Sequence, residues 1–220
     1  MARHIFITGA TGYIGRRLVP VLLGRGHRVT ALARKESLDK LPKGCGVALG
    51  NALDAGTYAH LVGDADTFIQ LVGVAHPGPA KASQFLEIDL KSGLEAVKAA
   101  RATGISHFVY LSVAHPAPVM KAYIEVRSQC ERSIEEAGLN STILRPWYVL
   151  GPGHRWPYLL IPFYKFAEAV PSTRHSARRF GLVTLSEMTG AISRAVDNPP
   201  QGIRILEVPE IRKGFASPTA

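Results

Sequence analysis

The chain has 220 residues, with 26 Lys and Arg against 17 Asp and Glu, for a formal charge of +9. At 46% hydrophobic and 20% charged it carries enough apolar surface for one folded domain, which excludes a disordered chain. Two cysteines, Cys45 and Cys130, exclude a disulfide scaffold, and no apolar run approaches the roughly 18 residues of a membrane span. The basic residues are spread out, densest at Arg16-Arg17, Arg34-Lys35 and Arg174 to Arg179, without aromatic interleaving, so no nucleic-acid partner is expected. Met1 to Ile7 leads straight into a strand pattern, which leaves no room for a signal peptide and suggests the cytoplasm.

Short β-rich runs alternate with helical patterns over the first 150 residues. Strands are expected at His4–Thr8, Arg28–Ala33, Gly46–Leu49, Thr67–Leu71, His107–Ser112 and Ser141–Arg145. Several are apolar almost throughout, as strands buried on both faces must be. Helices are expected over Tyr13 to Arg25, Leu86 to Thr103 and Lys121 to Ala137, with Pro20 awkward inside the first. The pattern predicts an α/β, Rossmann-like parallel sheet with helices on both faces. After Arg145 comes an aromatic, loop-rich segment. Leu182 to Asn198 then reads as strand or loop followed by helix, and Ile203–Val208 as a last strand. The tail from Glu210 is polar and expected to fray. Residues 1–150 are expected to form the nucleotide domain, with 151–220 adding a small substrate-side cap and C-terminal elements of the same domain.

Thr8-Gly9-Ala10-Thr11-Gly12-Tyr13-Ile14-Gly15 has the spacing G-x-x-G-x-x-G between an apolar strand and a helix. Gly9 permits a tight turn, Gly12 lets a pyrophosphate approach the backbone, and Gly15 lets helix and strand pack closely. The helix N-terminus attracts the phosphate charge. The second strand ends in Arg34-Lys35, without a carboxylate to hold a ribose diol, so a 2′-phosphate and NADP(H) are favoured over NAD(H).

These residues, with Gly50-Asn51-Ala52-Leu53-Asp54 and Thr142 to Gly153, resemble the short-chain dehydrogenase/reductase superfamily. They are most similar to its atypical NAD(P)-binding branch, which includes NmrA-like proteins and the NADPH-carrying accessory subunit of respiratory complex I. The resemblance implies cofactor contacts at Gly9, Thr11, Gly12, Tyr13, Ile14, Gly15, Arg34, Asn51, Ala52, Leu71, Val72, Gly73, Arg127, Pro146 and Val149. Asn51 stands where many relatives carry Asp. The resemblance also implies a Ser-Tyr-Lys set for hydride chemistry, and here that set is incomplete. Tyr123 is present and Arg127 replaces the Lys, keeping a charge that favours tyrosinate. The Ser position falls at Val113 or Ala114, with Ser112 expected still in the strand. Ala-His-Pro occurs twice, at His76 and His115, each after a strand. Pro biases each His toward extended backbone, and His115 is a candidate auxiliary proton donor. His154 is a third possible cleft residue. No metal site is expected.

Residues 156–170 are aromatic and apolar, suited to a substrate pocket, a lid or a partner's surface. The reading is therefore an NADP(H)-dependent oxidoreductase acting on a small apolar carbonyl or quinone-like substrate. The alternative is a non-catalytic NADP(H)-binding sensor or complex-stabilising module.

Overall fold

The computed structural model describes residues 1–117, 119–152 and 181–213. A seven-stranded parallel sheet runs through it in the order β3-β2-β1-β4-β5-β6-β9. The strands are β1 (His4–Thr8), β2 (Arg28–Ala33), β3 (Gly46–Leu49), β4 (Thr67–Gln70), β5 (His107–Leu111), β6 (Ser141–Arg145) and β9 (Ile203–Glu207). Two short parallel strands, β7 (Tyr148–Leu150) and β8 (Leu182–Thr184), pair apart from the main sheet. Around the sheet lie α1 (Gly15–Gly24), α2 (Lys91–Thr103), α3 (Lys121–Glu136), α4 (Leu185–Asp197) and α5 (Val208–Arg212). The chain order reverses between β1 and β4, and a ligand-binding crevice opens at such a switch point.

The two-residue period of the strands builds two cores. Ile5, Ile7, Val29, Ala31, Ile69, Val109 and Leu144 face α1, α4 and α5, joined there by Leu18, Leu22, Met188, Ile192 and Ile211. Phe6, Leu32, Phe68, Phe108, Tyr110 and Ile143 face the opposite layer, with Ala96 and Ala100 of α2 and Cys130 and Ile134 of α3. Both faces are covered, which is why these strands read as continuous apolar runs.

The expected strands and helices form, with shifted ends. β4 stops at Gln70 and β5 at Leu111, so Leu71 and Ser112 lie just beyond the ladder. Ser112 N–H still donates to Leu144 O at 2.8 Å, which extends the strand-like path by one residue. α1 begins at Gly15, because Thr11 to Ile14 form the turn. It continues through Pro20: Arg16 and Pro20 are both exposed, so the carbonyl that loses its partner lies on the solvent side. The helix expected from Leu86 becomes α-helical only at Lys91, after a wider π-helical turn over Phe85–Leu90. The expectation of fraying from Glu210 to Ala220 is corrected as far as Lys213, while 214–220 lie outside the described residues. Val208 and Ile211 are fully buried on α5, an i, i+3 pair that docks the segment on the core. Residues 154, 156–170 and 174–179, where the sequence suggested a cleft histidine, an aromatic pocket or partner surface and a basic group, lie outside the described residues. Among the described residues no helix is long and apolar enough to cross a membrane.

His107 opens β5 fully buried, its Nε2 3.0 Å from Thr142 Oγ1. Burial, with Arg204 and Arg3 nearby, pushes its pKa down to about 3. In the unfolded chain it titrates near 6.5, so stability from neutral His107 is complete above pH 6.5 and lost as pH falls toward 3. We predict that wild type loses on the order of 1 kcal/mol per pH unit more than His107→Gln in urea unfolding between pH 6.5 and 4. Parallel stability curves would contradict this.

Candidate active site

The turn between β1 and α1 is locked by close backbone approach. Gly9 has φ +80°, a left-handed conformation that side chains resist, and a Cβ there would lie 2.9 Å from the Leu71 carbonyl carbon. A Cβ on Gly15 would lie 2.2 Å from Gly9 O, so only glycine lets α1 start against the strand end. Gly12, by contrast, is exposed in the crevice. Ile14 caps α1 without a side-chain hydrogen bond, and no acidic residue occupies the first turn. Among the described residues no side chain caps the positive end of the helix, which therefore favours an anion there.

A groove passes over this turn. Its first half, a cavity of about 340 Å³, is walled by Gly9, Thr11, Gly12, Leu32, Arg34, Ser37, Asn51, Ala52, Leu71, Val72, Gly73 and Ile88, among others. Arg34 precedes the 3₁₀ turn Lys35–Lys40, and Ser37 N–H donates to its carbonyl at 2.9 Å, so both side chains are brought to the same rim. Lys35, expected beside Arg34, is not in the wall. Asn51 Oδ1 accepts from Leu53 N–H at 3.1 Å, which explains an Asn at this place: it caps its own loop while bordering the cavity. Ser37, Leu32 and Ile88 were not singled out from the sequence.

The second half, about 300 Å³, shares Gly9, Gly12, Leu71 and Gly73 with the first. Its remaining wall includes Tyr13, Ile14, Gly15, His76, Ser112, Val113, Tyr123, Arg127, Pro146, Trp147, Tyr148 and Val149. Every expected cofactor contact thus lies on one of the two halves. The Tyr13 hydroxyl packs so tightly on Gly151 that a Cβ there would fall 2.2 Å away, which closes the turn against the end of β7.

α3 presents Tyr123, Arg127 and Glu131 at i, i+4 and i+8, one stripe facing the strand ends. Phe85 supports the Tyr123 ring at 4.9 Å between centroids. Burial raises the Tyr123 pKa, and the nearby Arg127 only partly offsets it, so Tyr123 is a protonated phenol at neutral pH rather than the favoured tyrosinate. The Arg127 charge beside it is itself matched, and Asp89 adds to the rise. Its guanidinium pairs with buried Asp89, donates to Leu111 O at 2.8 Å and reaches the Tyr110 hydroxyl at 3.4 Å. Burial opposes the Arg127 charge, but the paired Asp89 carboxylate and the hydrogen bond to the Tyr110 hydroxyl favour it and keep the group protonated.

One turn on, Glu131 gathers three partners: Ser112, whose hydroxyl donates to it, Arg145, with Nε at 3.1 Å, and His115, with Nε2 at 3.3 Å. Burial works against the carboxylate, yet these bonds from His115, Arg145 and Ser112 hold its pKa down at about 2. His115 is therefore turned to Glu131 and is not part of the groove wall, so the structure does not bring it to Tyr123. Its repeat partner His76 does line the groove, with φ +51° rather than the extended backbone that Pro77 favours. Ser112 also borders the groove while its hydroxyl serves Glu131. Asp89 and Glu131 were missed from the sequence. For Glu131 the signal was present, as a charged residue in the buried stripe of an amphipathic helix with Val126, Cys130 and Ile134. Among the described residues no cluster of three metal-ligating side chains occurs.

Residues 9–155 match the model of a family described as NAD(P)H-binding. The chain belongs to this NAD(P)H-binding family. A ceramide reductase from Caulobacter vibrioides is 28% identical over 152 residues, 68% of this chain and 47% of the relative. A chloroplastic divinyl chlorophyllide a 8-vinyl-reductase from Zea mays is 33% identical over 126 residues, 49% of this chain and 29% of the relative. The matched part thus spans less than half the length of these curated relatives. In fold, the chain resembles the Bordetella bronchiseptica enzyme WbmH in complex with NAD+, with TM-score 0.69, 21% identity and coverage of 93% of this chain and 75% of that one. A UDP-N-acetylglucosamine 4-epimerase from Bacillus cereus gives TM-score 0.69 at 17% identity, covering 96% and 84%. The uncapped helix end, the bare Gly12 and a groove with room on both sides of the turn fit a dinucleotide.

The two glycines make a sharp contrast testable. Gly15→Ala pushes α1 off the strand end and lowers Tm by several degrees. Gly12→Ala leaves Tm nearly unchanged and weakens dinucleotide binding by about tenfold or more, since its Cβ meets only Gly9 O, at 3.1 Å, and otherwise enters the groove. Equal binding by Gly12→Ala and wild type, measured by calorimetry, would contradict this placement.

Proposed function

We propose that the protein is an NADP(H)-dependent reductase of a small apolar carbonyl or quinone-like compound. The observation that carries this reading is the single groove running from Arg34 and Ser37, over the start of α1, to Tyr123. The amides at Tyr13 to Gly15 would hold the diphosphate, with the bare Gly12 giving it room while its own N–H donates to Gly9 O at 3.0 Å. Arg34 and Ser37 would hold the adenosine 2′-phosphate, Asn51 and Ala52 the adenine side, and Pro146 to Val149 the nicotinamide side. When bound, the cofactor supplies a hydride. Tyr123, kept as a phenol by burial, donates its proton to the substrate oxygen. Arg127, with Cζ 5.1 Å from the Tyr123 ring centroid, partly offsets the negative charge that this leaves, within the limit set by its pairing with Asp89. The bonds Arg127 already makes compete with the ribose contact expected of it. Tyr13, Pro77, Val113, Trp147 and Tyr148 give the second half of the groove an apolar, aromatic wall that suits such a substrate. Both curated relatives named above are reductases by name, which supports the reaction class.

A second reading, a non-catalytic NADP(H)-binding module, is favoured by one feature: the Ser112 hydroxyl is engaged by Glu131 and the Lys position holds an Arg paired with Asp89. Turnover separates the two. We predict NADPH oxidation across a carbonyl and quinone panel that falls by about a hundredfold in Tyr123→Phe. Saturable NADPH binding with no turnover on any member would favour the module.

Cofactor choice is tested at Arg34. Wild type is expected to bind NADPH more tightly than NADH. Arg34→Ala should lose about tenfold or more for NADPH, the scale of one charge-assisted phosphate contact, and little for NADH. Equal affinities in wild type would overturn the NADP(H) assignment.

A further inference from the structure

Asp89 is a carboxylate with 0% side-chain exposure, carried by the π-helical turn Phe85–Leu90 at the edge of the groove. Such a charge is strongly unfavourable in a core unless it is paired and hydrogen-bonded. Here it is both. Arg127 lies against Oδ1, and Val74 N–H donates to Oδ2 at 2.9 Å. Gly73 leaves the room: a Cβ there would fall 2.3 Å from Arg127 Nη2 and 2.8 Å from Asp89 Oδ1. The pair therefore ties together three parts of the site wall, namely the loop after β4, the end of β5 through Leu111 O, and the helix that carries Tyr123.

We propose that Asp89 is a positioning residue of this site: it offsets much of the Arg127 charge so that Tyr123 stays a proton donor, and it pins the Gly73–Val74 wall, of which Gly73 borders both halves of the groove. The proposal rests on the reading of Tyr123 as the acid. Among the described residues, the charged groups acting on Tyr123 are Arg127 from its own helix and Asp89 from the π-helical turn, while His76 lines the same half of the groove, and Tyr110 and Cys130 interact with Arg127. Removing the Asp89 charge while keeping an acceptor for Val74 leaves the Arg127 charge beside the phenol without its carboxylate partner. Ionisation of Tyr123 then becomes easier.

The test is an ultraviolet tyrosinate titration of wild type and Asp89→Asn, each with and without Tyr123→Phe, so that the difference isolates Tyr123. Circular dichroism at each pH confirms the fold. The expected result is a Tyr123 titration about one pH unit or more lower in Asp89→Asn, a tenfold change in proton affinity. It should return upward in the double variant D89N/R127Q, which lacks both charges. An unmoved Tyr123 titration in folded Asp89→Asn would overturn the proposal. Should Asp89→Asn not fold, the comparison moves to stability. A double variant that folds where the single one does not supports the pairing, and a double variant that also fails overturns it. None of these readouts requires turnover, so a failure of the reductase reading would be seen separately, in the Tyr123→Phe assay.

Discussion

The site depends on a helix end that no side chain caps among the described residues. α1 starts directly against the end of β1 because Gly15 admits Gly9 O where any Cβ would collide, and Gly9 takes the left-handed turn that brings the two together. With no side-chain cap and no acid in the first turn, the amides at the start of α1 keep their positive end open. The switch point of the sheet lies beside it, between β1 and β4, so the helix end and the crevice coincide. Everything further along the groove is placed relative to that point.

The other organising element is the stripe on α3. Tyr123 meets the groove, Arg127 is buried against Asp89, and Glu131 draws in Ser112, His115 and Arg145 from the ends of β5 and β6. Two carboxylates that would destabilise the fold if left alone are each compensated by several donors. The consequence for chemistry is that the cation beside Tyr123 has its charge matched. The site favours a protonated phenol, which suits giving a proton to a substrate oxygen better than taking one from an alcohol.

Most of the fold was legible because both faces of the sheet are covered. Runs such as Ile5-Phe6-Ile7 and Phe108-Val109-Tyr110 divide their side chains between two cores. Strand ends ran one residue long at Leu71 and Ser112 because the apolar or strand-like path outlasts the ladder. The π-helical turn at Phe85–Leu90 was not legible, since its side chains keep a helical rhythm. The docking of α5 was hidden by the polar residues around Ile211. In the site, the glycine turn and Arg34 could be read from spacing alone, because the motif is local. The Asp89–Arg127 pair joins residues 38 positions apart, and only folding brings them together. The turning of His115 to Glu131 likewise depends on how α3 lies across β5 and β6, so two identical Ala-His-Pro tripeptides end in different surroundings.

The central claim is that the amides at the start of α1 receive a dinucleotide diphosphate. Backbone amide resonances of Tyr13, Ile14 and Gly15, followed by nitrogen-15 NMR during NADPH titration, test it most directly. The account predicts large, saturable shifts at these three residues, with Arg34 and Ser37 moving in step. Saturable binding that leaves these three amides in place, or no binding at all, would contradict it.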